Sequence, residues 1–260
     1  MPSDVRHTIA VLRASHDHLA ALVAPLTDEE ITRQSFDSDW TIAQVCSHLG
    51  SGAELNLDWA RAAVEHHDPL PQEEIQQVWD RWDGSTPRQQ VDALVTADEA
   101  HVAALEAYSD DELAQGHLSL FGGHFEVQGN DLARFRIGEH AIHTWDVEVA
   151  LDPSARIQPG AVEVIVDTLP QAAGRLGEHQ GRPWSVAVRT TGPDRTFVLR
   201  TGADGVTLEP GDAADVDGTL ELPAEQLVRL CYHRLRDGEE LPVLDGSPTL
   251  GELVATFPPH

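Results

Sequence analysis

Residues 134–146, RFRIGEHAIHTWD, set Glu139, His143 and Asp146 at intervals of four and three. That spacing puts all three side chains on one face of a helix. Around them Leu132, Phe135, Ile142, Trp145 and Val149 recur at helical spacing from Asp131 to Leu151, and Asp152 and Pro153 end the run. A helix with a carboxylate and an imidazole one turn apart is the kind from which helical bundles build metal sites. Glu139 and His143 can both reach one cation at about 2.0 to 2.2 Å, with room for a ligand from another helix. The competing reading is a solvated helix face, since Glu/His pairs at this spacing are common.

A third ligand is sought upstream. In Trp40-Thr-Ile-Ala-Gln-Val-Cys-Ser-His48-Leu49, His48 stands among Ile42, Val45 and Leu49 on an apolar-rich helix running from Thr41 to about His66. A histidine flanked in that way points inward, as a ligand or as a hydrogen-bonded core residue. Thr41 with Gln44 makes a capping box. Gly50 and Gly52 weaken this helix by about 1 kcal/mol each against alanine, which suggests close packing, a functional reason or a bend.

Three further helical segments surround these two. Ile9, Leu12, Leu19, Leu22 and Val23 give a first helix from Val5 to Val23, and Thr27 to Gln34 allows a short turn. Past Pro69 and Pro71, the segments Gln72 to Trp82 and Pro87 to Tyr108 form a third region in two pieces, the second capped by Ser85 or Thr86. The stretch 116–130, with Gly122 and Gly123, reads as a loop or hairpin. After a bridging helix from about Gly160 to Leu176, the runs WSVAVRTT, RTFVLRTG, GVTLEPG and GTLELP alternate at period two and read as strands. Pro223 to Arg236 and Leu250 to Phe257 return to helix. The fold class is therefore α+β: an all-helical bundle over 1–155, followed by a smaller mixed α+β domain over 156–260.

At 260 residues either part can bury a core without staples. A formal net charge of -27, from 44 acidic and 17 basic side chains, argues against a nucleic-acid or anionic-membrane partner. Every basic side chain is arginine. Cys46 and Cys231 lie far apart with no signal-peptide pattern before them, which suggests a reducing cytoplasm and no disulfide framework. No window holds the ~18 apolar residues of a membrane span.

The remaining histidines carry less. His140 lies about 100° around the helix from Glu139 and misses a metal bound there. Asp146 reads either as an outer partner for a ligating imidazole or as a surface charge. His16, His18, His66, His67, His101, His117 and His124 show no mutual spacing that demands a metal and are assigned to the surface. Cys46, roughly opposite His48, reads as a small buried hydrophobe. No phosphate loop, nucleophile elbow or dinucleotide fingerprint is present.

Taken together, the Trp40-Thr41 entry with His48-Leu49, the Glu139-x-x-x-His143-x-Trp-Asp146 segment and the strand-rich C-terminal part ending in a helix resemble the mycothiol-dependent maleylpyruvate isomerase family. Its helical half is of the DinB-like metal-binding type. The resemblance implies zinc, or another divalent metal, on His48, Glu139 and His143, and mycothiol as a thiol cosubstrate. It also implies that Arg234, in Cys231-Tyr-His-Arg234, binds an acidic substrate, although His233 stands where the family has an apolar residue or glycine. The activity implied is thiolate attack on an electrophilic small molecule, ending either in cis-trans isomerisation or in S-transfer. The strong negative charge then requires arginines such as Arg134, Arg136 or Arg234 to reverse the field in the cleft. The alternative is a non-catalytic, metal-dependent binding or sequestration protein.

Overall fold

The computed structural model describes residues 5–120, 125–236 and 238–258, and divides into two compact units, Met1–Ile157 and Gln158–His260. The first unit is helical. Its long helices are α1 (Val5–Val23), α3 (Ile42–Glu65), α5 (Pro87–Ala107) and α7 (Leu132–Leu151). Short helices α2 (Asp28–Ile31), α4 (Gln72–Asp83) and α6 (Asp110–Gln115) fill the connections. The long helices form a ring in which α1 meets α5 and α7, and α3 meets the same two. Strands β1 (His117–Leu120) and β2 (Phe125–Gln128) pair antiparallel between α6 and α7; the glycines expected at their turn, Gly122 and Gly123, lie outside the described residues.

Local chemistry explains where these helices begin. Thr27, Thr41, Thr86 and Ser109 each accept from the backbone N–H three residues on, while a Glu or Gln at that position returns the bond. Thr86 takes the cap that sequence shared between it and Ser85. The core of the ring gathers Leu19, Val23, Ile42, Val45, Leu49, Leu94 and Val147, and removing one such leucine costs roughly 2–5 kcal/mol. A second cluster of Leu55, Ile75, Val78 and Trp82 seats α4 on α3.

α3 runs unbroken through its two glycines, and each of them is a contact. A Cβ on Gly50 would lie 2.1 Å from Cη2 of Trp82, and one on Gly52 would lie 2.9 Å from Nη1 of Arg136. Their missing side chains let an indole and a guanidinium reach the helix backbone.

The second unit holds α8 (Pro159–Ile165), a 3₁₀ turn at Val166–Thr168, α9 (Leu169–Leu176), α10 (Ala224–Cys231) and α11 (Leu250–Ala255). Its sheet comprises β3 (Trp184–Thr191), β4 (Arg195–Gly202), β5 (Gly205–Pro210), β6 (Gly218–Pro223) and β7 (Asp245–Gly246) in the order β5-β4-β3-β6-β7, with β3 and β6 parallel and the other pairs antiparallel. The helix expected across 160–176 is interrupted, since Pro170 in the first turn of α9 has no N–H for the ladder. The helix expected to Arg236 stops at Cys231, where His233 adopts a left-handed conformation (φ 59°) and the Arg234 N–H turns back to the Arg229 carbonyl at 2.7 Å. Among the described residues no helix is long and apolar enough to cross a membrane.

Candidate metal centre

The second turn of α3 and the middle of α7 bring three polar side chains together. His48 Nε2 lies 3.5 Å from Glu139 Oε2, and His143 Nε2 lies 3.7 Å from the same oxygen. One ligand atom from each of the three falls within 4.8 Å of the other two, the only such group among the described residues. Ligands about 2.0–2.1 Å from a tetrahedral cation stand about 3.4 Å apart. Two imidazoles and a carboxylate at these separations are thus a donor set that fits zinc or a similar divalent ion.

The surroundings prepare the donors. The hydrogen bond from His48 holds the Glu139 carboxyl down to about 2, against the burial that would raise it. Burial lowers the pKa of His48, and contact with Glu139 offsets that only in part. At neutral pH the pair therefore presents an ionised carboxylate and a neutral imidazole, the protonation states a metal ligand needs. His143 Nδ1 sits 2.9 Å from Oδ2 of the fully buried Asp146, so this ring can donate to the carboxylate and keep Nε2 for the site. Asp146 is thus a partner of a ring nitrogen, and the surface-charge alternative falls.

Trp40, just before α3, packs its ring 4.9 Å from that of His48 and 5.7 Å from that of His143, forming an apolar wall that sequence did not identify. The site is not sealed: the side chains of His48 and Glu139 stay 38% and 44% exposed, against 11% for His143. Cys46, two residues before His48, is buried with its thiol pushed up to about 12 and takes no part.

Directly behind these ligands lies a second polar cluster that the sequence reading assigned in part to the surface. Asp98 of α5 accepts from His16 Nδ1 at 2.9 Å and His140 Nε2 at 2.8 Å, and pairs with Arg136 Nη2 at 3.3 Å. Burial would raise the Asp98 pKa, but His140, His16 and Arg136 together hold it well below the usual carboxylate range. His16 and His101 are buried, which corrects their surface assignment; burial drives the His101 pKa down to about 3. The signal was available: His16 continues the Ile9, Leu12, Leu19 stripe, and Asp98 and His101 continue that of Val91, Leu94 and Leu105. His18 pairs with Glu148 at 2.9 Å, His117 with Glu126 at 2.8 Å, and His66 and His67 are exposed. His124 lies outside the described residues.

Ser15 Oγ also lies 2.8 Å from His140 Nδ1, completing a hydroxyl–imidazole–carboxylate chain. Serine hydrolases activate an alcohol with such a chain. Here all three members are at most 2% exposed, so no carbonyl substrate can meet Ser15 Oγ. His140 accordingly faces away from the three candidate ligands.

The three arginines named from sequence occupy different settings. Arg134 is partly exposed and pairs with Asp131 at 3.2 Å. Arg136 is buried beneath α3. Arg234 belongs to the second unit, in the loop after α10, where its carbonyl accepts from Arg229 Nη1 at 3.1 Å and its own Nη1 donates to the Tyr232 carbonyl at 3.2 Å. Arg229 is itself fully buried between Glu225 and Glu239, and fastens this loop.

Comparison with known proteins places the chain. Its fold is similar to that in the crystal structure of the mycothiol-dependent maleylpyruvate isomerase, with a TM-score of 0.66 at 14% identity over 92% of this chain and 95% of that chain. A histidine-to-alanine mutant of that isomerase gives a TM-score of 0.63 at 15% identity over the same shares. A weaker likeness, TM-score 0.44 at 16% identity over 56% of this chain and 85% of that chain, is to YfiT from Bacillus subtilis. No curated protein matches the sequence. Residues 12–148, more than half the chain and running from the middle of α1 through the candidate ligands on α7, match the model of the mycothiol maleylpyruvate isomerase N-terminal domain, and the chain belongs to that family.

Proposed function

We propose that this protein is a metal-dependent enzyme in which His48, Glu139 and His143 hold a divalent cation, zinc foremost, and that it uses a low-molecular-weight thiol, mycothiol, against an electrophilic small molecule. The observation that carries this reading is the meeting of two imidazole nitrogens and one carboxylate oxygen within 4.8 Å, drawn from two helices and left partly open to solvent. Bound there, a cation supplies the positive charge that makes a thiol a thiolate at neutral pH.

The chain's own residues do the rest. Glu139 is held ionised and burial favours neutral His48, so binding would require no net loss of a proton from either, only a shift of the His48 proton from Nε2 to Nδ1. Asp146 fixes the tautomer and tilt of His143, and Trp40 shields both imidazoles on one side. His48, Glu139 and His143 would hold the cation through three donors and so leave it able to accept the thiol as well. In an isomerase the thiolate adds to an electron-poor double bond, the resulting single bond rotates, and the C–S bond breaks to return the thiol. In a transferase the C–S bond stays, and either the adduct's carbanion takes up a proton or, with an alkyl halide, the carbon–halogen bond breaks and halide leaves with the electron pair. Arg234 is proposed, on the family resemblance, to receive an acidic substrate group. The buried, unpaired thiols Cys46 and Cys231 agree with a reducing cytoplasm as the place of work.

The test is to assay protein purified without an affinity tag for bound metal, then to incubate it with mycothiol and a maleyl compound or an alkyl halide. Stoichiometric zinc and thiol-dependent turnover are expected, and retention of sulfur in the product separates transferase from isomerase. Absence of metal after zinc is supplied, or of turnover with every electrophile, would overturn the proposal.

A further inference from the structure

We infer that Arg136 is a positioning residue for the three-ligand site, bracing the helix that carries His48 against the helix that carries Glu139 and His143. The inference rests on the metal-site reading above and adds to it the element that sets the spacing of the donors.

Arg136 is one turn before Glu139 on α7, and only 2% of it is exposed. Its Nη2 donates at 2.7 Å to the carbonyl of Leu49, the residue that follows His48 on α3. The same nitrogen pairs with Asp98 Oδ1 on α5 at 3.3 Å. One guanidinium therefore ties three helices at a single point, adjacent in sequence to one candidate ligand and one turn from another. The Leu49 carbonyl has a second lone pair to offer beyond the helix ladder, so the brace costs α3 nothing in backbone bonding.

Gly52 makes the approach possible. A Cβ there would lie 2.9 Å from Arg136 Nη1, with no other atom nearer than the guanidinium carbon at 3.8 Å. The absence of a side chain at Gly52 is thus matched to this guanidinium and to nothing else nearby. Such an arrangement is costly to maintain, because a buried cation needs a buried anion. Asp98 supplies it, and Asp98 is itself fixed by His16 and His140. A packing role alone calls for no charge at this depth; an apolar side chain of the same volume would fill the space at less cost. The polar brace instead fixes a carbonyl, hence the axial and rotational setting of the turn that presents His48.

Two variants of the full chain test this with cobalt(II) as the probe. Gly52→Ala pushes the guanidinium from α3 while keeping every charge, and Arg136→Met removes the donor. Each is expected to weaken cobalt binding about tenfold, as loss of an outer partner of a metal site does. Each should also change the position or intensity of the visible d–d bands, which report donor geometry and are blind to a loss of global stability. In the double variant Gly52→Ala adds little to Arg136→Met, since both act through one contact. Should Arg136→Met prove too unstable to purify, Gly52→Ala alone decides. Variants that bind cobalt with unchanged affinity and an unchanged spectrum overturn the brace and leave the metal site standing. A parent protein that binds no cobalt overturns both.

Discussion

His143 and Asp146, one turn apart on α7, meet through Nδ1 and Oδ2 at 2.9 Å, and this contact turns the opposite ring nitrogen of His143 toward Glu139. Asp146 is wholly buried, so its carboxylate has little freedom to serve any other orientation of the ring. Asp146→Asn is expected to retain the fold and to lower zinc affinity by about 10- to 100-fold, measured by chelator competition. Unchanged affinity would mean that packing against Trp40 orients the ring instead.

Loss of a donor should be more severe than loss of its support. His48→Ala and His143→Ala are each expected to abolish stoichiometric zinc and thiol-dependent turnover together, read by elemental analysis and product formation. Glu139→Gln keeps a neutral oxygen in place and should reduce both without removing either. If His140→Ala removes the metal while His143→Ala does not, the site lies on the other face of α7.

Acid should weaken the metal-free site in a defined window. The folded protein holds the Glu139 carboxyl down to about 2 from an ordinary 4.5, so its contribution to stability is present above 4.5 and lost as pH falls toward 2. Burial lowers the pKa of His48 from an ordinary 6.5, so below 6.5 the unfolded chain takes up a proton that the folded chain refuses, and stability falls in the same direction. The melting temperatures of the metal-free parent and Glu139→Gln should therefore converge as pH is lowered from 4.5 to 2. A gap that stays constant across that range would show that the His48 contact does not bias Glu139.

Asp98 is the anion on which Arg136, His16 and His140 all depend, and it is completely buried. Asp98→Asn leaves a guanidinium buried without its counter-charge, for which the expected cost is about 3–5 kcal/mol in urea unfolding. A loss below 1 kcal/mol would show that solvent reaches the cluster.

The candidate ligands were legible in sequence because each announces itself locally: Glu139 and His143 by their spacing, His48 by its apolar neighbours. The helices were legible for the same reason, since hydrophobic period and capping boxes are local signals. The Asp98 cluster was not recognised, because a buried polar residue on an apolar stripe is informative only once its partner from another helix is known, and those partners lie 38 to 82 residues away. The ends of α8 and α10 depended on the backbone at Pro170 and His233, which overrides a hydrophobic pattern that continues past both.

Gly50 offers a case in which two effects oppose each other. Alanine there would gain about 1 kcal/mol of helix propensity. Its Cβ would also stand 2.1 Å from the Trp82 ring, and overpacking of this kind costs typically 1–3 kcal/mol. Gly50→Ala is thus expected to destabilise the protein, with a lower midpoint in thermal unfolding, and a stabilised variant would show that Trp82 moves aside freely.

Both cysteines are buried with thiols pushed up to about 12, and the chain has no lysine. Under the proposed function the protein would meet alkylating compounds, and it offers them neither an exposed thiol nor a lysine amine. Exposure to iodoacetamide or an acrylate should leave Cys46 and Cys231 of the native protein unmodified in peptide mass mapping, and label them only after unfolding brings them to the solvent.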